Sequence, residues 1–218
     1  MIRVVIFDMD GVIIDSEPIH FNIERQMFEE SNIPVSHEEH CRYVGTSSQN
    51  MWQIILSRYN LSYDAEELAR KQHGLYMKSL LHGAGLQPIP GVVELIQALY
   101  KNKFKLVLAS SSYMEVIDVV LERLNLSGYF AAKLSGAEMT FSKPHPEIFL
   151  RSAQHANCEP GECLVIEDSE NGVRSAKDAG MKCIGFLNPN SGTQDLSKAD
   201  LIIHGFQQIG VALIKSLT

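Results

Sequence analysis

Arg3-Val4-Val5-Ile6-Phe7-Asp8-Met9-Asp10-Gly11-Val12 opens with an apolar run that stops at two aspartates. A continuous apolar run, without the alternation of a half-exposed strand, suits a strand buried on both faces of a parallel sheet. Asp8 and Asp10 then fall just beyond its carboxyl end, where open α/β sheets hold their ligands. Two carboxylates this close repel each other. A divalent cation, or an anionic substrate bridged by one, relieves that repulsion. Gly11 suits a sharp turn that exposes backbone amides. A solvated Asp-Gly turn is the other reading of the same residues.

Working outward, similar apolar runs recur at Lys105 to Ala109, Ala132 to Leu134, Cys163 to Ile166, Lys182 to Phe186 and, more briefly, Leu201 to Ile203. Helical spacing separates them. Val92, Leu95, Ile96 and Leu99 repeat at three and four residues, as do Val116, Val120, Leu121 and Leu124. Further helices fit Glu147 to His155, Gly172 to Ala179 and Phe206 to Leu217, with Gly180 where a helix C-terminal glycine belongs. This alternation predicts an α/β fold with a doubly wound parallel sheet. Only Ser16 to His82 breaks it. No good strand falls there, and Ile19, Ile23, Met27 and Phe28 mark one helix. Met51, Ile54, Ile55 and Leu56 mark another, and Leu68, Leu75, Met77 and Leu80 suggest more. The punctuating residues Ser16-Glu17-Pro18 and Gly83 to Gly91 bracket the stretch. The expected organisation is a core of residues 1–15 and 83–218 with an inserted helical domain, 16–82.

Chemistry-bearing residues cluster at the strand ends. Leu108-Ala109-Ser110-Ser111-Ser112 offers a hydroxyl and successive amides for phosphate oxygens, or a helix N-cap. Ser142-Lys143-Pro144-His145-Pro146 offers a compact cation, or a surface turn. Val165 to Gly172 ends a strand in Glu167-Asp168, a pair of hard oxygen donors suited to magnesium, or a helix cap by Asp168 or Ser169. Other features read as structural. His37-Glu38-Glu39-His40 is not a zinc motif and suits a solvated turn or helix face. Gly45 to Ser48 is not a nucleophile elbow, and Gly83-Ala84-Gly85 does not follow a strand as a dinucleotide loop must. Trp52 suits the core of the inserted helices better than a substrate platform.

The order of these motifs resembles that of the haloacid dehalogenase superfamily of phosphohydrolases, over essentially the whole chain. Asp8 to Val12 matches its DxDGV motif, Ser110 its hydroxyl motif, Lys143 its lysine motif and Glu167-Asp168 its acidic motif. The insertion matches a helical cap. The finer resemblance is to the β-phosphoglucomutase and sugar-phosphate phosphatase branch, through Asp15 to Pro18, His20 and Gly45-Thr46-Ser47-Ser48.

The resemblance implies magnesium-dependent hydrolysis of a small phosphomonoester, a sugar or polyol phosphate, through an aspartyl-phosphate on Asp8. Lys143 would neutralise charge. Ser110, with the amides of Met9, Asp10 and Ser111, would hold phosphoryl oxygens. Asp10 would be general acid and then general base. Asp8, the Asp10 carbonyl and Asp168 would hold Mg²⁺, with Glu167 a ligand or a partner behind the ligands. His20 and Gly45, Thr46, Ser47 and Ser48 would read the leaving group. The alternative is β-phosphoglucomutase. Mutase relatives carry an arginine at the position of Ser48 and a Lys-Asn pair at Tyr113-Met114, all replaced here, although neighbouring Arg42 could compensate. A non-catalytic binding protein would not need every motif, and dehalogenase chemistry would need neither Asp10 nor the acidic pair.

Composition narrows the remaining classes. The 218 residues are 45% hydrophobic and 21% charged, with 19 basic and 26 acidic residues and a net charge of −7. Nucleic acid is an unsuitable partner for such a chain. No apolar run is long enough to cross a membrane and no signal peptide is evident. Cys41, Cys158, Cys163 and Cys183 have neither zinc nor CxxC spacing, which suits reduced thiols. The expectation is a cytoplasmic monomer acting on a phosphorylated small molecule.

Overall fold

The computed structural model describes residues 1–82 and 86–217. Six parallel strands form one sheet in the order β3-β2-β1-β4-β5-β6: β1 Val4–Phe7, β2 Lys105–Ser110, β3 Ala132–Ser135, β4 Cys163–Glu167, β5 Lys182–Phe186 and β6 Leu201–Ile203. β1 lies centrally, with Ile6 opposite Val107 of β2 and Val165 of β4. The chain moves outward in one direction from β1 to β3, then returns to β4 and moves outward in the other. The crevice at this reversal lies beyond the carboxyl ends of β1 and its neighbours.

Alternate side chains of each strand enter different cores. Val5, Phe7, Leu106, Leu108, Leu164 and Ile166 pack with α5 (Val92–Lys101) and α6 (Met114–Arg123) on one face. Val4, Ile6, Val107, Ala109, Cys163 and Val165 pack with α7 (Glu147–Ala156) and α8 (Glu170–Asp178) on the other. Burial on both faces explains why the strand runs lack polar alternation.

Between β1 and α5 lie α1 (Glu17–Glu30), α2 (His37–Cys41), α3 (Ser48–Arg58) and α4 (Ala65–His82). They bury their own cluster of Met27, Phe28, Ile33, Met51, Trp52, Ile55 and Ala69, in which the Trp52 indole donates to Gln72 Oε1 at 2.8 Å. Ile54, expected on the apolar face of α3, is exposed. The reading of Gly83-Ala84-Gly85, and the 82/83 boundary, lie outside the described residues.

Two expectations need correction. The helix expected over Phe206 to Leu217 is divided into a short 3-10 turn at Phe206–Gln208 and α9, Val211–Ser216. Ile209 and Gly210 are extended between them, so Gly210 heads a new helix instead of continuing one. His37 to His40 is not a solvated face on both sides: Glu39 and His40 are buried, and Glu39 accepts from Tyr43 and Tyr59. No helix among the described residues is long and apolar enough to cross a membrane.

Ile6 touches both neighbouring strands through the sheet and is fully buried. Ile6→Ala should therefore destabilise the fold by about 2–5 kcal/mol, read as a lower urea midpoint with an unchanged m-value.

Candidate active site

At the carboxyl end of β1, Asp8 Oδ1 accepts from Lys143 Nζ at 2.5 Å. The same ammonium donates to Glu167 Oε1, the last side chain of β4, at 2.6 Å, and lies 3.4 Å from the Ala109 carbonyl of β2. It also lies 5.2 Å from the Phe149 ring centroid. Lys143 comes from the loop between β3 and α7 and is only 1% exposed. A buried lysine needs such partners, because desolvation disfavours its charge. Desolvation here is outweighed by Asp8 and Glu167, which raise the Lys143 pKa above its ordinary value. Of the two readings of this stretch, a compact cation or a surface turn, the buried position is that of the cation.

Glu167 Oε2 accepts from the Asp168 and Ser169 amides and from Ser169 Oγ, each at 2.9 Å. Both carboxylate oxygens are engaged, so Glu167 anchors Lys143 and the following turn. Asp168 Oδ2 accepts from Ser191. Burial raises the Asp168 carboxyl well above its usual range, with Glu167, Glu17 and Asp8 adding repulsion. Burial likewise pushes Asp8 up to about 8; the Lys143 charge opposes this, while Glu167 and Asp10 add to it.

A cation fits this excess of buried carboxylate. Asp8, Asp168 and the Asp10 carbonyl would supply hard oxygen donors, and magnesium commonly takes only one or two protein carboxylates beside water and phosphate oxygens. No group of three or more His, Cys, Asp or Glu side chains among the described residues is arranged to hold a metal. Gly11 keeps the turn close: its φ is +78°, and a Cβ there would come within 2.0 Å of Asp168 Oδ2.

Asp10 faces a different environment. Oδ1 accepts from Ser16 Oγ at 2.6 Å and Tyr76 OH at 3.2 Å, with His20 Nε2 at 3.4 Å. Oδ2 accepts from Ser110 Oγ at 3.1 Å and Ser112 Oγ at 2.8 Å. Burial would raise its pKa, but the His20 hydrogen bond and charge, with Ser16 and Ser112, hold it well below the usual carboxylate range. The reciprocal pairing raises His20 despite desolvation. Ser110 therefore points at Asp10 in this structure. The amides of Met9, Asp10 and Ser111 donate to no acceptor among the described residues, and they sit at adjoining ends of β1 and β2. Unpaired amides so placed form a cradle for an anion.

Above these groups a cavity reaches between the sheet edge and the helices. Asp8, Asp10, His20, Gly45, Thr46, Ser48 and Ser111 line it. Ser47 does not: it is the N-cap of α3 and accepts from the Asn50 amide. Gly45 has φ +79° and sits against Ser169, with its carbonyl accepting from Ser111 Oγ at 2.8 Å. His40, on the same cavity wall, pairs with Glu24. Ser112 closed a quoted motif without being assigned a role, and nothing in the sequence pattern pointed to Tyr76, Gln72 or the Glu24–His40 pair.

The chain matches the family model for haloacid dehalogenase-like hydrolases over residues 5–186. It is 32% identical over 180 residues to a phosphorylated carbohydrates phosphatase of Thermotoga maritima, covering 83% of this chain and 82% of that one. It is 28% identical over 218 residues to β-phosphoglucomutase of Bacillus subtilis, covering 97% and 93% of the two chains. A crystal structure of β-phosphoglucomutase from Clostridium difficile superposes with a TM-score of 0.86 at 28% identity, covering 99% of this chain and 96% of that one.

Removing the buried ammonium would leave Asp8 and Glu167 unpaired. In metal-free buffer Lys143→Met should destabilise the protein by about 3–5 kcal/mol at pH 8. The loss should be smaller at pH 5, where Asp8, raised by burial, can take up a proton. Urea unfolding at the two pH values tests this; equal losses would show that charge is not the cause.

Proposed function

Because the chain belongs to the haloacid dehalogenase-like hydrolase family, we propose that it is a magnesium-dependent phosphatase acting on a small sugar or polyol phosphate through an aspartyl-phosphate on Asp8. The observation that carries this is Asp8 at the end of β1, fixed by buried Lys143 beside the unpartnered amides of Met9, Asp10 and Ser111. Positioning and charge neutralisation are what phosphoryl transfer chiefly requires.

Asp8 attacks phosphorus in line with the leaving alcohol. Lys143 neutralises charge on Asp8 and on the phosphoryl oxygens. The three amides donate to those oxygens, and Ser110 exchanges its bond to Asp10 for one of them. Asp8, the Asp10 carbonyl and Asp168 would hold Mg²⁺, which supplies charge neutralisation between the nucleophile and the dianion. Asp10 passes to the leaving oxygen a proton relayed from His20 Nε2, 3.4 Å away and raised by the pairing, and is left ionised again. Its ionised resting state then suits the second step, in which it takes a proton from water attacking the aspartyl-phosphate. The helices above the cavity act as a cap that excludes bulk water.

Hydrolysis is favoured over mutase chemistry by the cavity wall. A second phosphate needs fixed cationic donors, and no Lys or Arg lines the cavity among the described residues. Arg42 does not compensate: it is exposed and pairs with Glu38 at 2.8 Å. Tyr113 packs its ring on His73 where mutase relatives carry lysine.

Phosphate release from a panel of sugar and polyol phosphates, with and without Mg²⁺, tests the proposal. Asp8→Asn should abolish turnover with wild-type melting, and Asp10→Asn should lose roughly 10²–10⁴-fold. Glucose 6-phosphate forming from β-glucose 1-phosphate and its bisphosphate primer much faster than free phosphate appears would instead establish the mutase.

Metal binding should also depend on pH. With a folded pKa of about 8, Asp8 holds a proton through the range where the unfolded carboxyl, near 3.9, has already lost it. Its contribution to stability is fully present below the unfolded value and disappears as pH rises through 8. Mg²⁺ must displace that proton, so its stabilising shift in Tm should be larger at pH 8.5 than at pH 5.5. A shift of the same size at both values would argue against Asp8 as a ligand.

A further inference from the structure

The helical insertion meets the core along Cys41 to Gly45, the segment that leaves α2 toward α3, and the core grips this segment by its backbone. Gln194 Nε2 donates to the Cys41 carbonyl at 3.1 Å. Asn171 Nδ2 donates to the Arg42 carbonyl at 3.1 Å and to the Val44 carbonyl at 2.9 Å. The two sides of the seam approach closely. A Cβ on Gly45 would come within 2.2 Å of Ser169 Oγ, and one on Gly192 within 2.7 Å of Cys41 Sγ. Cys41 is buried at this contact.

The gripping residues belong to the two loops that hold Asp168. Ser169, Glu170 and Asn171 follow it in the turn that opens α8. Gln194 Oε1 accepts from the Glu170 amide at 2.9 Å, and its Nε2 also donates to the Ser191 carbonyl at 2.9 Å. Ser191 Oγ in turn donates to Asp168 Oδ2. Contacts thus lead from the Asp168 carboxylate through Ser191 and Gln194 to Cys41, while the chain itself leads from Asp168 to Asn171. Asp168 stands among Glu167, Glu17 and Asp8, whose charges repel it. A cation between Asp8 and Asp168 relieves part of that repulsion and fixes the carboxylate, and with it both loops. Contacts that differ between two states shift the balance between them, and the effect is reciprocal.

We infer that Asn171 and Gln194 are positioning residues that couple Mg²⁺ binding at Asp168 to the seating of residues 41–45 on the core. This rests on Asp168 being a magnesium ligand as proposed above. Mg²⁺ tightens the seam, and an intact seam tightens the hold on Mg²⁺. Neither residue touches the cation or the reacting atoms; both act through the loops that carry Asp168 and Ser191.

Cys41 is a built-in reporter of the seam. Its alkylation by iodoacetamide, followed by peptide mass spectrometry, is compared in EDTA and in saturating MgCl₂, and Mg²⁺ affinity is measured by calorimetry on the same proteins. In wild type, Mg²⁺ should slow Cys41 alkylation about 3- to 10-fold, while half-buried Cys158, outside the seam, reacts alike in both buffers. Asn171 and Gln194 are themselves half-buried, so removing their amides opens no core. Asn171→Ala and Gln194→Met should each alkylate faster in EDTA, lose most of the protection by Mg²⁺, and bind Mg²⁺ about 3- to 10-fold more weakly. Asp168→Asn should alkylate alike in both buffers. A merely structural part would instead speed alkylation by the same factor with and without Mg²⁺ and leave its affinity unchanged, which would overturn the inference. So would wild type that binds Mg²⁺ without protecting Cys41, or protection that survives in Asp168→Asn; each leaves the phosphatase proposal intact. If wild type shows no Mg²⁺ binding in the calorimeter, the magnesium reading itself fails, and the inference with it.

Discussion

Lys143 Nζ is bonded to Asp8 and Glu167 and approaches the Ala109 carbonyl. One ammonium thus draws together the ends of β1, β2 and β4 with the loop that follows β3. None of these groups tolerates burial alone, because an isolated charge in a low-dielectric interior is strongly disfavoured. Their mutual neutralisation keeps the nucleophile candidate ready at the sheet edge. Glu167 extends the constraint through Oε2, which fixes the first amides of the turn into α8 and holds Asp168 beside Gly11. Two carboxylates adjacent in sequence therefore have different partners: Glu167 holds the lysine, and Asp168 accepts from Ser191.

The second constraint is the seating of the helices on the sheet. The segment from Cys41 to Gly45 is held mainly through its backbone. Gln194 donates to the Cys41 carbonyl, Asn171 to the Arg42 and Val44 carbonyls, and Ser111 to the Gly45 carbonyl. Asp10 is shared in a similar way, taking donors from Ser16, His20 and Tyr76 on the helical side and from Ser110 and Ser112 on β2 and its following loop. The ionisation of Asp10 consequently depends on the helices sitting over the sheet. It is held low by a histidine that belongs to α1, whereas Asp8, two residues earlier, is raised by burial among carboxylates.

Much of the sheet was legible because strands buried on both faces write continuous apolar runs. Val4 to Phe7, Leu106 to Ala109 and Cys163 to Ile166 carry no polar residue. Helix α9 was misjudged because the apolar spacing continues across Ile209-Gly210 while the backbone there is extended. Ile54 shared a helical spacing with Ile55, yet it faces outward where α3 has no neighbour to cover it. His40 looked solvated from its charged neighbours, but the aromatic rings of Phe21 and Phe28 from α1 enclose it.

By itself the sequence determined the parallel sheet, the position of the helical insertion and the strand ends bearing Asp8, Ser110 and Glu167. These follow from local apolar runs and from residues adjacent to them in the chain. Only the tertiary structure decided that one buried Lys143 ammonium joins Asp8 to Glu167, and that Ser110 serves Asp10. Each of these depends on groups far apart in sequence, 135 residues between Asp8 and Lys143 and 100 between Asp10 and Ser110. Charge pairing and desolvation act through space, and no periodicity along a chain records which distant partner a buried polar group meets.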